Sequence, residues 1–252
     1  MSQEQMSQEQ AANDVPDGSD ICAVLAGGAL TACEPNPWGS NYSFFVTLEA
    51  GEQQFRGVYK PRQGERPLWD FPSGTLYLRE YAAYRAGEAL GWSFVPPTVV
   101  REGPYGVGSV QLMVEARPFS SIQDLQALEE LDLARIAAFD IVTNNADRKG
   151  GHILQDPAGK LWSIDHGLCF NVVPKIRTVL LHYCGQAVPT PVLDELRAFR
   201  TDSSRVAALE RELASSVADD EITAMWQRLD WVLGQGTYPV LDPYHSVPWP
   251  PF

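Results

Sequence analysis

The stretch FDIVTNNADRKGGHILQDPAGKLWSIDHGLCF, residues 139–170, contains four aspartates between a helix-like beginning and a glycine-containing end. Asp147 lies in a polar loop, and Asp165 follows the apolar run KLWSI, eighteen residues further along the chain. The segment between them has the pattern of a short hairpin, with HILQ and KLWSID on either side of the turn DPAG. Because a hairpin folds the chain back on itself, the sequence predicts that both carboxylates reach one site.

Bulk composition limits the possible functions. The 252 residues are 44% hydrophobic, which is enough to bury the core of one large domain or of two lobes. The formal net charge of −13 argues against binding to nucleic acid or to an anionic membrane, since both need dense positive charge. The four cysteines have no CxxC spacing and are expected to be reduced thiols. The polar, acidic N-terminus and the lack of a long apolar run predict a cytoplasmic protein without stable membrane association.

The first half of the sequence predicts a small α+β unit at residues 19–118, after a disordered tail at residues 1–18. ICAVLAGGALTAC indicates a short helix that ends near its glycines. Two β-rich runs then predict a hairpin that ends at Lys60. Tyrosines at helical spacing predict a helix over LYLREYAAYRAGEALG, which contains Glu80. Two further strands, VPPTVV and SVQLMVEA, complete a β-β-α-β-β block.

Residues 119–252 have the pattern of a mainly helical unit. In SIQDLQALEELDLARIAAFDIVTNN, apolar positions recur with the period of a buried helix or helix pair. After the polar loop and the hairpin, VLDELRAFR, SRVAALERELASS and ITAMWQRLDWVLGQ are amphipathic. The tail YPVLDPYHSVPWPPF contains too many prolines for regular structure. The sequence therefore predicts an α+β protein of two lobes, a β-rich one and a helical one, with a cleft between them.

The charged residues of this cleft are the types that phosphoryl transfer needs. That reaction requires positive charge around phosphate oxygens, a carboxylate that binds a metal ion, and a base beside the acceptor hydroxyl. A strand lysine, a helix glutamate and two loop aspartates supply these groups here.

The motifs NNADRKGGH and SIDHG resemble the DRHxxN loop and the IDFG-like strand end of the protein-kinase-like superfamily, in its phosphatidylinositol-kinase and HipA-like branches. More narrowly, VYKPRQGERPLWDFPSGT, VTNNADRKGGHI and IDHGLCF resemble an actinobacterial family related to phosphatidylinositol 3- and 4-kinases. The resemblance implies a bilobal protein-kinase-like fold, with a β-rich N-lobe, a helical C-lobe, and the cofactors ATP and Mg²⁺.

The same resemblance implies roles for single residues. Asp147 matches the catalytic-loop aspartate that orients or deprotonates the acceptor hydroxyl. Asp165 matches the aspartate that holds Mg²⁺ between phosphates. Lys60 matches the lysine that contacts phosphate, and Glu80 is the candidate partner that fixes it, with Glu88 as the second choice.

Two departures from the family pattern leave alternatives open. His152 stands where the superfamily has a second metal-binding asparagine, so either His152 binds the metal ion, or Asn145 or a water replaces it. The loop WGSNYSFFV has a single glycine, so Ser40, Asn41 or backbone N–H groups are expected to contact phosphate instead.

Arg148 is a further candidate catalytic residue, which either faces phosphate or balances the acidic surface of the chain. A plainer interpretation of the Asp147–Arg148 pair is a helix-capping aspartate with a local ion pair. Asp140, on the preceding helix, is expected to anchor backbone amides of the loop. The remaining candidate nucleotide contacts lie in the strand SVQLMVEA and are Gln111, Met113 and Val114.

The leading functional hypothesis is an ATP- and Mg²⁺-dependent kinase that transfers the γ-phosphoryl group to a hydroxyl of a soluble small molecule or protein. A second hypothesis is adenylyl transfer by the same cleft, because the sequence does not show how the nucleotide is oriented. A third is a catalytically weak pseudokinase that binds nucleotide. The expected partners are therefore a nucleotide and a hydroxyl-bearing soluble acceptor, and not nucleic acid.

Overall fold

The structure is a computed structural model, and it describes residues 18–37, 41–119, 121–128 and 131–251. Ser40 lies outside the described residues, as does nearly all of the predicted N-terminal tail. Within the described ranges, no helix has both the length and the apolar character needed to cross a bilayer.

The first part of the chain forms a five-stranded antiparallel sheet in the order β1-β2-β3-β5-β4. Its strands are β1 (Ala29–Pro35), β2 (Phe44–Ala50), β3 (Gln53–Pro61), β4 (Thr98–Gly103) and β5 (Gly106–Leu112). The predicted hairpin corresponds to β2 and β3, with Phe44 opposite Tyr59. Strand β1 was not part of the predicted β-β-α-β-β block, and it pairs along the free edge of β2.

Helix α1 (Gly18–Gly27) covers one face of this sheet. Leu25 is buried there in one apolar cluster with Tyr59 and Val110. Because successive side chains of a strand point to opposite faces, Lys60 lies on the other face, away from this cluster. The apolar packing of α1 therefore determines which face of the sheet presents the lysine.

Helix α2 (Leu76–Leu90) matches the helix predicted from the tyrosine spacing. It ends at Gly91, whose φ of 75° lies in the left-handed region that glycine adopts without strain. The side chain of its N-cap residue, Thr75, makes no capping hydrogen bond. Instead, the Glu65 carboxylate accepts a hydrogen bond from the Tyr77 amide at 2.8 Å, so a loop residue from outside the helix caps its first turn.

The second part of the chain is mainly helical, with a small sheet in the order β6-β7-β8. Its elements are β6 (Arg117–Pro118), α3 (Ile122–Gln126), α4 (Leu131–Thr143), β7 (Ile153–Gln155), β8 (Leu161–Ser163), α5 (Thr190–Thr201), α6 (Ser203–Leu213) and α7 (Asp219–Gln235). Helices α3 and α4 are the predicted helix pair, and β7 and β8 are the predicted hairpin. The domain boundary placed after residue 118 stays a prediction, and β6 already pairs with β7 of the second part.

Ion pairs tie helix α2 to the helical part. Arg79 Nη2 lies 2.7 Å from Glu221 Oε1 on α7, and both side chains are almost fully buried. Arg85 donates to both carboxylate oxygens of Glu212 on α6, at 2.7 Å each. Arg79 also donates through Nη1 to the Cys169 carbonyl at 2.6 Å. Helix α2 is therefore held against the helical part at several points along its length.

Candidate active site

Lys60, near the end of β3, lies between two carboxylates. Its Nζ contacts Glu80 Oε1 on α2 and is 3.0 Å from Asp165 Oδ1, which follows β8. Glu88, the second candidate on α2, is exposed to solvent. The structure thus brings together one lysine and two carboxylates that the sequence placed in three separate elements.

The charges of this cluster support one another. Burial opposes the charge on Lys60, but Asp165 and Glu80 outweigh burial and raise the Lys60 pKa. Lys60 in turn lowers the pKa of Asp165. Lys60 is therefore cationic and Asp165 anionic at neutral pH. Asp165 also has a left-handed φ of 61°, a conformation that non-glycine residues rarely adopt and that is frequent at functional sites.

His152 lies on the other oxygen of Asp165. Its Nε2 is 3.2 Å from Asp165 Oδ2, while its Nδ1 is buried without a hydrogen-bond partner among the described residues. Burial lowers the His152 pKa to about 4, so the ring is neutral and one nitrogen has an available lone pair. Adjacent ligands of an octahedral Mg²⁺, at roughly 2.1 Å from the ion, stand about 3 Å apart. The spacing of Nε2 and Oδ2 therefore fits two ligands of one ion in the tautomer that carries the proton on Nδ1, and an Nε2–H···Oδ2 hydrogen bond in the other tautomer.

The protein supplies only part of a metal-binding shell. Among the described residues, no group of three or more His, Cys, Asp or Glu side chains is placed to hold a metal ion. Mg²⁺ commonly takes one or two protein carboxylates and completes its shell with phosphate oxygens and water. The half-exposed carboxylate of Asp165 fits that requirement. Asn145, the alternative ligand, does not, because it is fully buried and bonded on both side-chain atoms.

Asp147 lines the same cavity as Lys60 and Asp165. Its carboxylate lies 3.2 Å from Lys149 Nζ and accepts no backbone N–H among the described residues, so the helix-capping interpretation does not apply to its side chain. Burial raises the pKa of Asp147 despite this lysine. A carboxylate with a raised pKa is a better proton acceptor than an ordinary aspartate.

Arg148 is wholly buried and does not face the cleft. Its guanidinium donates to both carboxylate oxygens of Asp140 at 2.9–3.2 Å. It also donates to the Ile164 carbonyl at 2.9 Å and lies 2.9 Å from His166 Nε2. Because arginine can only donate, His166 accepts, and its pKa is lowered by burial and by the arginine. The expectation of a catalytic, phosphate-facing Arg148 is therefore corrected. The guanidinium of Arg148 is paired with the buried carboxylate of Asp140.

Asp140 anchors the loop through side chains rather than through backbone amides. Besides Arg148, it accepts a hydrogen bond from Asn145 Nδ2 at 2.9 Å. The network also reaches the lysine cluster, because the His166 amide donates to Glu80 Oε2 at 2.9 Å. The catalytic and metal-binding candidates are thus connected through the core of the helical part.

The cleft cavity has a volume of about 240 Å³. The predicted phosphate contact Asn41 lines it, and its Oδ1 accepts a hydrogen bond from the Arg66 amide at 3.0 Å. The three candidates from the strand SVQLMVEA do not line it: Gln111 is buried and donates to Thr98 Oγ1 at 2.9 Å, and Met113 and Val114 follow β5 outside the cavity. The lining residues to which sequence reasoning gave no role in the site include Glu65, Arg66, Leu68, Leu76 and Tyr77. The motif VYKPRQGERPLWDFPSGT was the available signal for most of them.

The proline-rich tail lies against the loop that carries His152. The Gly150 amide, in the short helical turn Gly150–His152, donates to the Pro251 carbonyl at 2.8 Å. The Thr178 amide donates to the Ser246 carbonyl at 2.8 Å. The tail therefore completes the backbone hydrogen bonding of the catalytic region although it forms no helix or strand of its own between residues 238 and 251.

No family model matches the chain. Protein Rv2133c of Mycobacterium tuberculosis (strain H37Rv) is 35% identical to it over 268 residues, which cover 92% of this chain and 96% of that protein. The chain belongs to the Rv2133c family. Two plant proteins are similar to part of this family member. Phosphatidylinositol 4-kinase gamma 4 of Arabidopsis thaliana is 31% identical over 176 residues, and the Oryza sativa protein of the same name is 37% identical over 167 residues. Each match covers 52% of the chain but only 31% and 29% of the respective plant protein.

Solved structures share the fold of this Rv2133c family member. Hydra Fam20, solved with sugar, has a TM-score of 0.64 at 16% identity and covers 88% of this chain and 90% of its own. The Golgi casein kinase has a TM-score of 0.60 at 16% identity, and the match covers 89% of this chain and 80% of the casein kinase chain. The structure of the Golgi casein kinase with Mn and ADP bound also has a TM-score of 0.60. At this level of identity the likeness shows the fold alone, and it confirms the predicted protein-kinase-like fold.

Proposed function

We propose that the protein is an ATP- and Mg²⁺-dependent kinase that transfers the γ-phosphoryl group to a hydroxyl of a soluble small molecule or protein. The observation that carries this proposal is Lys60, held between Glu80 and Asp165 in a cavity that also contains Asp147. The names of the plant relatives and of the Golgi casein kinase, which is solved with Mn and ADP, support the same chemistry.

Each of the cleft residues has its own role in this proposed transfer. Lys60 binds phosphate oxygens, and Glu80 keeps the lysine in place. Asp165 and His152 would hold the metal ion, together with phosphate oxygens and water. When bound, Mg²⁺ neutralises charge on the terminal phosphates. Asp147 orients the acceptor hydroxyl and takes its proton while the hydroxyl oxygen bonds to the γ-phosphorus, the bond to the bridging oxygen breaks, and ADP leaves.

The deciding experiment supplies ATP labelled either at the γ-phosphate or at the α-phosphate and follows label transfer together with ADP release. Kinase activity transfers only the γ-label, and Lys60→Met and Asp165→Asn remove it. Asp194→Asn serves as the control, since Asp194 is an exposed residue of α5 paired with Arg197 at the surface. Transfer of the α-label with release of pyrophosphate would show adenylyl transfer instead. ATP binding without release of either product from any acceptor would indicate a pseudokinase.

A further inference from the structure

A second cavity, of about 460 Å³, lies beside the cleft. It is formed largely by residues 62–75, which join β3 to α2 and which we call the arginine loop after their two cations, Arg62 and Arg66. Its volume is within the range of about 300–1,000 Å³ that is usual for ligand pockets. Four residues line both cavities, namely Glu65, Arg66, Leu68 and Leu76. The two cavities therefore adjoin across these shared residues.

Two arginines line this second cavity without a carboxylate beside them in the described part of the chain. Among the described residues, neither Arg62 nor Arg66 has a carboxylate within 4.0 Å. Six of the fifteen arginines do have one, namely Arg79, Arg85, Arg135, Arg148, Arg197 and Arg200, and of the nine without one among the described residues only Arg62 and Arg66 line this cavity. Carboxylates are not scarce, because the sequence has 32 acidic against 19 basic residues. Two neighbouring arginines without a carboxylate are therefore available to an external anion.

The position of Arg62 depends on a glycine. A Cβ added at Gly74 would stand 2.5 Å from Arg62 Nε, so the guanidinium lies directly against this residue. Gly74 also has a φ of 75°, which glycine adopts without strain. The loop is therefore shaped to hold the Arg62 side chain against the cavity wall.

Glu65 lines both cavities and has one carboxylate oxygen without a partner among the described residues. Its Oε1 is used by the Tyr77 amide, whereas its Oε2 is buried and has no partner among the described residues. A buried acceptor without a donor costs free energy unless a ligand or a water supplies one. A hydroxyl of a bound ligand is a suitable donor for this oxygen.

We propose that the acceptor is a small sugar or polyol that carries a phosphate monoester, and that Arg62 and Arg66 bind its phosphate. This inference rests on the proposed kinase function. Two guanidinium groups match the charge of about −2 on a phosphate monoester and bind its oxygens with directed hydrogen bonds. One hydroxyl of the same molecule donates to Glu65 Oε2, and another lies beside Asp147 in the adjoining cavity.

The test compares each phosphate ester with its parent alcohol by titration calorimetry in the absence of nucleotide. The probes are glycerol phosphate against glycerol and inositol monophosphate against inositol. We expect at least one ester to bind at least about tenfold more tightly than its alcohol. Arg62→Gln/Arg66→Gln should remove the difference, while Arg117→Gln/Arg211→Gln should keep it, because these two arginines are exposed elsewhere on the surface.

Several outcomes would overturn the inference. These are equal affinity within both pairs, no binding of either ester below about 10 mM, or the same loss in the control variant. Vesicles that contain a phosphorylated phosphatidylinositol test the source of the phosphate. Vesicle binding that Arg62→Gln/Arg66→Gln removes would support the phosphate site but overturn the soluble source. Ester binding that persists in Lys60→Met would show the site to be separate from the nucleotide site, whether or not the kinase proposal holds.

Discussion

The catalytic loop, residues 144–152, and the arginine loop border the same cleft but are held in opposite ways. In the catalytic loop, Asn145 and Arg148 are fully buried, and Asp140 accepts hydrogen bonds from both. In the arginine loop, Arg62 and Arg66 are exposed and have no carboxylate partner among the described residues. Buried, bonded groups fix a geometry, whereas exposed cations remain available to a ligand. The contrast is consistent with the proposal that residues 144–152 position the chemistry and that the arginine loop selects the acceptor.

Asn144 shows how tightly the catalytic loop is fixed. It follows helix α4 with a left-handed φ of 55°. Its Nδ2 donates to the carbonyls of Asn171 and Val173 at 2.7 and 2.8 Å, and its Oδ1 accepts from the Lys175 amide at 2.8 Å. An uncommon backbone conformation is therefore stabilised by three hydrogen bonds to the segment that follows Asp165.

The largest expected effect comes from Asp147→Asn, which removes the charge that the catalytic loop presents to the cleft. We expect turnover to fall by about 10²–10⁴-fold, because the amide cannot accept the hydroxyl proton. ATP affinity should be unchanged, since Lys60 and Asp165 remain. ADP release with a functional acceptor and calorimetric titration with ATP measure the two effects. Full activity of Asp147→Asn would show that the loop has a structural role only.

The second-largest expected effect is a decrease in the free energy of unfolding. Arg148→Met leaves Asp140 as an unpaired buried charge, so we expect the free energy of unfolding to fall by about 3–5 kcal/mol. Arg197→Met is the matched control, because it breaks an exposed pair and should change stability by less than about 1 kcal/mol. Urea denaturation measures both. The double variant Asp140→Leu/Arg148→Met should lower the free energy of unfolding by less than Arg148→Met alone, because it leaves no unpaired charge. Equal losses in the double and the single variant would argue against an ion pair between Asp140 and Arg148.

A smaller effect separates backbone strain from side-chain contact in the arginine loop. Gly74 and Gly159 have φ values of 75° and 89°, but a Cβ at Gly159 would meet nothing within 4 Å. Alanine at either position should lower the free energy of unfolding by about 1–2 kcal/mol. Only Gly74→Ala should also displace Arg62 and weaken binding of the phosphate ester. The same titration measures both variants. If Gly159→Ala weakened binding of the phosphate ester as much as Gly74→Ala does, Gly74 would have no specific role in positioning Arg62.

The smallest expected effect is that of Arg62→Gln on folding. Because Arg62 is exposed and has no carboxylate partner among the described residues, the free energy of unfolding should change by less than about 0.5 kcal/mol. Thermal or urea denaturation beside the Arg148→Met variant provides the measurement. A decrease of more than about 1 kcal/mol in the free energy of unfolding would mean that Arg62 stabilises the loop itself and is not free to bind a ligand.

The sequence predicted the residues whose position follows from local pattern. Lys60 ends a strand of recognisable alternation, and Asp165 follows a short apolar strand, so both could be placed at element ends. Glu80 was the first choice and Glu88 the second, and the structure places Glu80 in contact with Lys60. The functional roles of these residues stay predictions, whereas the protein-kinase-like fold is confirmed.

The remaining parts could not be predicted because they depend on long-range contacts. Nothing in the order of residues shows that Asp140, in the last turn of α4, directs its carboxylate towards Arg148. Strand β1 is recognised only through its pairing with β2. Glu65 and the arginine loop reach the site because Glu65 caps a helix that begins eleven residues later, at Leu76. Gln111 is directed into the sheet by its bond to Thr98.

The contact between the Gly150 amide and the Pro251 carbonyl has a consequence for the order of synthesis. The ribosome makes the catalytic loop long before it makes the segment that supplies this acceptor. A chain that contains Asp147, His152 and Asp165 but stops before residue 251 therefore lacks the acceptor of the Gly150 amide. We expect such a truncated chain to hold the loop that carries His152 less firmly, even when its core has folded.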